Sequence, residues 1–259
     1  MSDMSEVFDR RAVRQHRERA AGKIGAISDL LRELAERLLD RLDDTIIRFT
    51  QALDVGGRGV VAPLLRARGI DVTSCDLSAA MAALNPPPAV AADEELLPFG
   101  PGSFDLVVAS LSLHWVNDLP GALIQLRHAL RPGGLLLASV PALGTLAELR
   151  SALTEAESAL TGGVSPRVSP FPTLRDCASL LQRAGFDLPV ADQEEVRLRY
   201  ADPLALLREL RAAAETNALR LRDRRIPPRA LFAAALGTMP AEPEITLRIA
   251  FMTGWAPTR

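Results

Sequence analysis

Leu30, Leu34, Leu38 and Leu42 recur every four residues with arginine and glutamate between them. That spacing lays one apolar stripe along an amphipathic helix, and Asp29 is its predicted N-cap. After Asp43-Asp44 the period changes. Ala52 to Val55 reads as a short buried strand ended by Gly56-Gly57-Arg58-Gly59, and Val60 to Arg68 as a helix stopped by Gly69. Ile70 to Asp76 is a second strand, Ser78 to Leu84 a second short helix, and Asn85 with three prolines breaks the chain. Ala89 to Ala92 is a weak third strand before the acidic turn Asp93-Glu94-Glu95. Phe104 to Ser110 is the clearest strand, set up by Gly100-Pro101-Gly102. A helix from about Leu119 to Leu130 follows, closed by Arg131-Pro132-Gly133-Gly134, and Leu135 to Val140 is a fully apolar strand.

Strands that are apolar on both faces and alternate with helices imply a parallel sheet covered on both sides. Right-handed crossovers make such a sheet doubly wound, so the predicted fold class is α/β. Beyond Pro141 the rhythm loosens. Helices are predicted at Leu146–Leu160, Leu174–Ala184, Pro203–Ala214 and Arg229–Leu236, and strands near Leu188–Ala191, Val196–Tyr200 and Ile245–Phe251. Ser165 to Pro172, rich in proline, reads as a structured or gating loop. The expected division is an N-terminal helical arm over 1–44, a cofactor-binding core over 45–145, and completion of the sheet with cap insertions over 146–259.

The arm begins with Arg10, Arg11, Arg14, Arg17 and Arg19 inside ten residues. Such a run is either a solvated helix face or an arm folded over an anionic ligand. The whole chain is near neutral, with 30 Lys+Arg against 32 Asp+Glu and a net charge of -2, which argues against a nucleic-acid scaffold. No stretch approaches the roughly 20 apolar residues of a membrane-spanning helix. Cys75 and Cys177 are expected to be reduced thiols of a cytoplasmic protein. No apolar signal segment opens the sequence, and Asp3, Glu6 and Asp9 interrupt the arginines against the acid-poor pattern of a transit peptide.

In an open parallel sheet, ligands bind at the carboxyl ends of the strands. Here the first strand runs into a glycine turn and then a helix N-terminus, and Asp76 ends the second strand, 22 residues after Asp54. An acid at that place accepts the hydroxyls of a ribose. Asp54 ahead of the glycines suits a cofactor carrying an ammonium or sulfonium and would repel a pyrophosphate. That points to S-adenosylmethionine (SAM) rather than a dinucleotide. No nucleophile elbow, phosphate-binding loop or zinc-ligand cluster is present in the sequence. A metal set built from His114, Asp118 and His128 has no recognised spacing, so no metal site is assigned; His128 reads as structural.

Leu53-Asp54-Val55-Gly56-Gly57-Arg58-Gly59 resembles the glycine-rich motif of class I SAM-dependent methyltransferases, and Asp76 matches their ribose-binding acid. Asp93 matches their adenine-side turn, and Leu130 to Gly134 the turn into their fifth strand. Ser110-Leu111-Ser112-Leu113-His114-Trp115-Val116-Asn117-Asp118-Leu119-Pro120 is similar to the branch holding the malonyl-[acyl-carrier protein] methyltransferase of biotin synthesis and the methyltransferase-like, arginine-hydroxylating assembly factors of respiratory complex I. The resemblance to the latter runs from Val7-Phe8-Asp9-Arg10 to Thr253-Gly254-Trp255 and includes Gly162 to Pro166 and Ser169-Pro170-Phe171.

The resemblance implies a mostly parallel seven-stranded, Rossmann-like sheet and a SAM site made by Asp54, Gly56, Gly57, Gly59, Asp76, Asp93 and Ser110. It implies a substrate pocket walled by His114 and Trp115, and a lid to which Arg10 and Arg14 belong. It leaves the catalytic residue unknown. The acceptor it implies is a carboxylate, another small molecule or a protein side chain, the last with a complex I subunit as partner. The alternative it carries is an assembly factor that hydroxylates arginine or serves as a non-methylating scaffold. One departure stands out: the family pattern acid-x-Gly-x-Gly-x-Gly is one residue short here.

Overall fold

The computed structural model describes residues 6–225, 227 and 229–258; the first five residues and the last residue of the expected divisions lie outside them. Two helices, α1 (Arg10–Ala20) and α2 (Ser28–Leu39), open the chain. Then β1 (Gln51–Val55), α3 (Val61–Ala67), β2 (Asp71–Asp76), α4 (Ala79–Ala82) and β3 (Ala89–Ala91) form the first wound half. The second half is β4 (Phe104–Ser110), α5 (Leu119–Ala129) and β5 (Leu130–Pro141). Next come α6 (Ala147–Thr161), α7 (Leu174–Arg183), β6 (Asp187–Arg199), α8 (Pro203–Ala212), α9 (Arg229–Gly237) and β7 (Glu244–Trp255). The seven strands lie in the order β3-β2-β1-β4-β5-β7-β6, with β7 and β6 antiparallel to their neighbours and the rest parallel.

Successive residues of a strand point to opposite faces, so the apolar runs feed two cores. Ala52, Val72, Leu106, Val108, Leu135 and Leu137 meet α2 and α3 on one side. Leu53, Val55, Cys75, Val107, Ala109 and Leu136 meet α5 and α7 on the other. A third cluster joins α6, α8 and α9 over the carboxyl end of the sheet. Leu34 and Leu38 are at most 1% exposed, each worth about 1.5–3 kcal/mol of burial.

Three sequence expectations change. Asp29 lies in the first turn of α2 rather than capping it, and the cap position is Ile27. The two strands predicted at 188–191 and 196–200 are one long strand, β6, whose polar middle is paired along its length with β7. Strand β5 starts at Leu130, before the Arg131–Gly134 turn, because Leu130 already pairs with Phe104 and the register shifts between Phe104 and Leu106.

Candidate cofactor and acceptor site

Strands β1, β2 and β4 end side by side, because Val55 pairs with Cys75 and Asp54 with Val108. Their carboxyl ends bring Asp54, Gly56, Asp76 and Ser112 together. Gly56 has φ +68, and a Cβ there would stand 2.5 Å from Ser112 Cβ; only glycine suits that conformation and approach. A Cβ on Gly57 would fall 2.1 Å from Asp54 Oδ1. The shortened loop closes by putting Arg58 in the left-handed region, φ 52, a conformation that side-chain-bearing residues mostly avoid.

Burial sets the electrostatics. Asp54 is fully buried and pushed up to about 7, chiefly by desolvation, with Ser74 and the Gly57 and Ala62 amides pulling the other way and Asp76 adding repulsion. Asp76 is also raised by burial, against the pull of Arg17. Its Oδ1 accepts from Ser78 N at 2.8 Å and Arg17 Nη1 at 3.4 Å. Asp76 Oδ2, Asp54 Oδ1 and Ser112 Oγ are buried without a partner.

The N-terminal arm lies across this cluster. Phe8 pairs with Leu219 in an isolated bridge, Asn117 clamps the Phe8 backbone on both sides, and Glu18 accepts from Ala79 N at the start of α4. From α1, Arg17 reaches Glu94 Oε1 at 2.5 Å and the Ser112 carbonyl at 3.2 Å. Arg10 holds Asp93 Oδ1 at 2.5 Å, Glu94 and the Trp115 carbonyl. Burial alone would raise Glu94, yet Arg17 and Arg10 hold it at about 2. The arginine run therefore divides: Arg10 and Arg17 turn inward, whereas Arg11, Arg14 and Arg19 are exposed. Arg14 does not take the place expected of it. The sequence signal that places Arg17 is its spacing from Val13 and Ala20, at i, i+4 and i+7 on the buried face.

Beyond Ser112 the chain forms the second part of the site. His114 is 7% exposed and does not cap α5; Asp118 does, accepting from Gly121 N. His114 Nε2 lies 2.8 Å from Glu215 Oε2, which also accepts from Trp115 Nε1 at 2.9 Å. Arg58 donates to Glu215 Oε1 at 2.8 Å and to the Leu111 carbonyl at 3.0 Å. Burial favours the neutral acid at Glu215, but His114, Arg58 and Trp115 together depress it to about 2. A cavity of about 100 Å³ is lined by Leu30, Leu34, Leu206, Leu210, Arg58 and His114, with Glu215 on its wall. A second cavity of about 380 Å³ adjoins it through shared Leu146, Phe171, Leu210 and Glu215, and carries Trp115, Arg167 and Arg222. Trp115 also packs edge-on against Phe8, centroids 5.2 Å apart.

Of the residues expected to bind the cofactor, Asp54, Gly56, Gly57 and Asp76 converge. Gly59 sits below, where a Cβ would stand 3.2 Å from Leu84 Cβ. Ser110 pairs with Ser139 in the sheet, and Asp93 is engaged by Arg10. His128 is exposed on α5. Among the described residues no group of three or more His, Cys, Asp or Glu is arranged to hold a metal ion, and no helix is long and apolar enough to cross a membrane.

The strand order, the glycine turn and the acid at the next strand end coincide with a family profile described as a methyltransferase domain, matching residues 23–189. The chain belongs to the methyltransferase-domain family. The cofactor of that assignment is S-adenosylmethionine, and the reaction class is methyl transfer.

Relatives extend the match beyond that segment. The chain is 36% identical over 266 residues to "Arginine-hydroxylase NDUFAF5, mitochondrial" of Danio rerio, covering 97% of this chain and 83% of that protein. It is 34% identical over 279 residues to "Malonyl-[acyl-carrier protein] O-methyltransferase" of Xylella fastidiosa (strain M23), covering 98% and 90%. Among solved structures, Haemonchus contortus phosphoethanolamine N-methyltransferase 2 aligns with a TM-score of 0.56 at 18% identity, over 95% of this chain and 60% of that one. That likeness is one of fold.

The unpartnered acceptors fit the cofactor's chemistry. Ribose hydroxyls and an α-ammonium are donors, and Asp76 Oδ2, Ser112 Oγ and Asp54 Oδ1 are buried acceptors without donors, a state that costs free energy until satisfied. Three of the side chains that shape the site escaped the sequence reading: Arg17, Glu94 and Glu215. Glu215 lies 100 and 101 residues from Trp115 and His114, with no local motif to mark it.

Proposed function

We propose that the protein transfers a methyl group from SAM to an acceptor that enters from the cap side with an apolar body. The observation that carries this reading is the row of unpartnered acceptors at Asp76, Ser112 and Asp54, beside a cavity walled by Leu206, Leu210, His114 and Arg58. Asp76 would hold the ribose hydroxyls, Asp54 and Gly56 the amino-acid end, and Asp93, once Arg10 shifts, the adenine edge. Gly57, Gly59 and Ser110 would shape the cradle from behind. When bound, SAM supplies an electrophilic methyl group on a sulfonium. The residues of the chain bind and orient the two reactants and keep water out, which is the main requirement for an in-line displacement. The two buried free thiols support a cytoplasmic setting.

A second reading is favoured by one observation: the likeness to the arginine hydroxylase spans 97% of this chain. In that reading the protein modifies an arginine of a respiratory complex I subunit, and the SAM site is a relic or a regulator. One experiment separates the two. The purified protein is incubated in air with a two-electron reductant, which hydroxylation by dioxygen would consume, together with SAM and a complex I subunit preparation, or with SAM and a malonyl thioester, and the products are weighed. A product heavier by one methylene, with stoichiometric S-adenosylhomocysteine, supports methyl transfer. A product heavier by one oxygen, with SAM unconsumed, would replace it with hydroxylation.

A further inference from the structure

The contact between His114 and Glu215 fixes which ring nitrogen carries the proton. Arg58 and the Trp115 N–H both favour the ionised form of Glu215, and an ionised carboxylate only accepts hydrogen bonds. The 2.8 Å contact at Nε2 therefore requires Nε2 to donate, and in the neutral imidazole that arrangement puts the lone pair on Nδ1. Nδ1 is buried and has no partner, although the imidazole forms part of the wall of the apolar cavity. An unpaired buried acceptor is costly, so Nδ1 is open to a donor that enters the cavity. The backbone nearby is also strained: Arg58 at φ 52 and Leu111 at φ 50 are side-chain-bearing residues in the left-handed region, and Arg58 bonds the Leu111 carbonyl. Such outliers gather where geometry serves function.

We infer that His114, oriented by Glu215, is the proton acceptor of the site, and that the methyl acceptor is an ionisable O–H or N–H group rather than a carboxylate. This deepens the methyl-transfer reading and rests on it. In the step, the oxygen or nitrogen of the acceptor forms a bond to the methyl carbon of SAM. The carbon–sulfur bond breaks, its electron pair stays on sulfur, and S-adenosylhomocysteine leaves as a neutral thioether. The acceptor's proton passes to His114 Nδ1, and the imidazolium so formed lies against Glu215, the arrangement by which a carboxylate steadies a catalytic imidazole. Arg58, on the other oxygen of Glu215, keeps that carboxylate ionised throughout. The remaining titratable groups on the cavity wall, Tyr200 and Glu209, bond each other at 2.8 Å and are already satisfied. A carboxylate acceptor carries no proton at neutral pH and would leave the dyad without a task.

The test uses the full-length protein in two measurements. First, long-range proton–nitrogen correlation on ¹⁵N-histidine-labelled protein reads the tautomer of His114. The expected result is the Nε2–H form, with Glu215→Gln giving a mixture of both forms. A dominant Nδ1–H form, or a tautomer indifferent to Glu215→Gln, would overturn the proposal. Second, 4-nitrophenol is titrated into protein saturated with S-adenosylhomocysteine at about pH 6, where the free phenol is mostly protonated. Proton transfer to His114 is expected to produce the yellow phenolate band in the wild type, at least tenfold weaker in His114→Gln and reduced in Glu215→Gln. No band in the wild type, or an equal band in His114→Gln, would count against it. Calorimetric binding of S-adenosylhomocysteine beforehand keeps the outcomes apart: its failure sinks the methyl-transfer reading, and its success with no phenolate sinks only the dyad.

Discussion

Replacing Arg17 by methionine removes the cation at the centre of the arm's contact with the sheet. The side chains of Arg17, Glu94 and Asp76 are at most 2% exposed, and Arg17 lies 2.5 Å from Glu94 and 3.4 Å from Asp76. Breaking a buried pair from one side costs about 3–5 kcal/mol, because the remaining charge stays buried without its partner. Arg10 still reaches Glu94, so the lower end, about 3 kcal/mol, is expected. The pH dependence sharpens the test. In the wild type Glu94 is depressed from 4.5 to about 2, so its contribution is complete above 4.5 and disappears only as pH falls from there towards 2. In Arg17→Met the same carboxyl loses its first counterion and its pKa rises, so protonation relieves the variant as pH falls from neutral to about 5. Urea denaturation followed by circular dichroism at pH 7.5 and pH 5 should therefore show a deficit that narrows at the lower pH. Adding Glu94→Gln to Arg17→Met should recover about 1 kcal/mol or more, since coupled neighbours interact by about 0.5–3 kcal/mol. A deficit below about 1 kcal/mol, or one unchanged by pH and by the second substitution, would refute the view of Arg17 as a buried counterion.

Other outcomes follow from the same geometry. Asp76→Asn should weaken S-adenosylhomocysteine binding at least tenfold, about 1.4 kcal/mol by calorimetry, with little loss of melting temperature because Ser78 N keeps an acceptor. Gly56→Ala should cost about 2 kcal/mol in urea melts, as Cβ strain at φ +68 adds to the 2.5 Å approach to Ser112, and should abolish cofactor binding. Asp54 is raised from 3.8 to about 7, so the unfolded chain ionises first and stability falls as pH rises from about 4 to about 7. Asp54→Asn should flatten that part of the stability curve. For the same reason, affinity for the cationic cofactor should rise as pH passes through 7, and pH-independent affinity from 6 to 8 would count against Asp54 facing its charged end.

The parts of the fold that could be seen in the sequence are those set by short-range rules. Phe104–Ser110 and Leu135–Val140 are apolar on both faces and became central parallel strands, while Gly56, Asp54 and Asp76 lie within one strand–turn–helix–strand unit. Strand β6 was harder because its middle, Asp192 to Glu195, is polar; pairing with β7, not its own composition, holds it extended. The arm was misjudged in a telling way. Arg14 shares the run with Arg10, but the buried face is set by Val13, Arg17 and Ala20, and Arg17 meets Glu94 across 77 residues. Glu215 was invisible for the same reason: it follows α8 in a stretch without a motif, and only the cap's placement brings it to Arg58, 157 residues away.

The central claim, that the shortened Asp54–Gly59 turn still forms a working SAM site, is tested most directly by calorimetric titration of the purified protein with SAM and with S-adenosylhomocysteine. The account expects both to bind in the micromolar range, the product at least as tightly as SAM, with both affinities at least tenfold weaker in Asp76→Asn. Heat-silent titrations with both ligands in the folded wild type, or equal binding to Asp76→Asn, would contradict it.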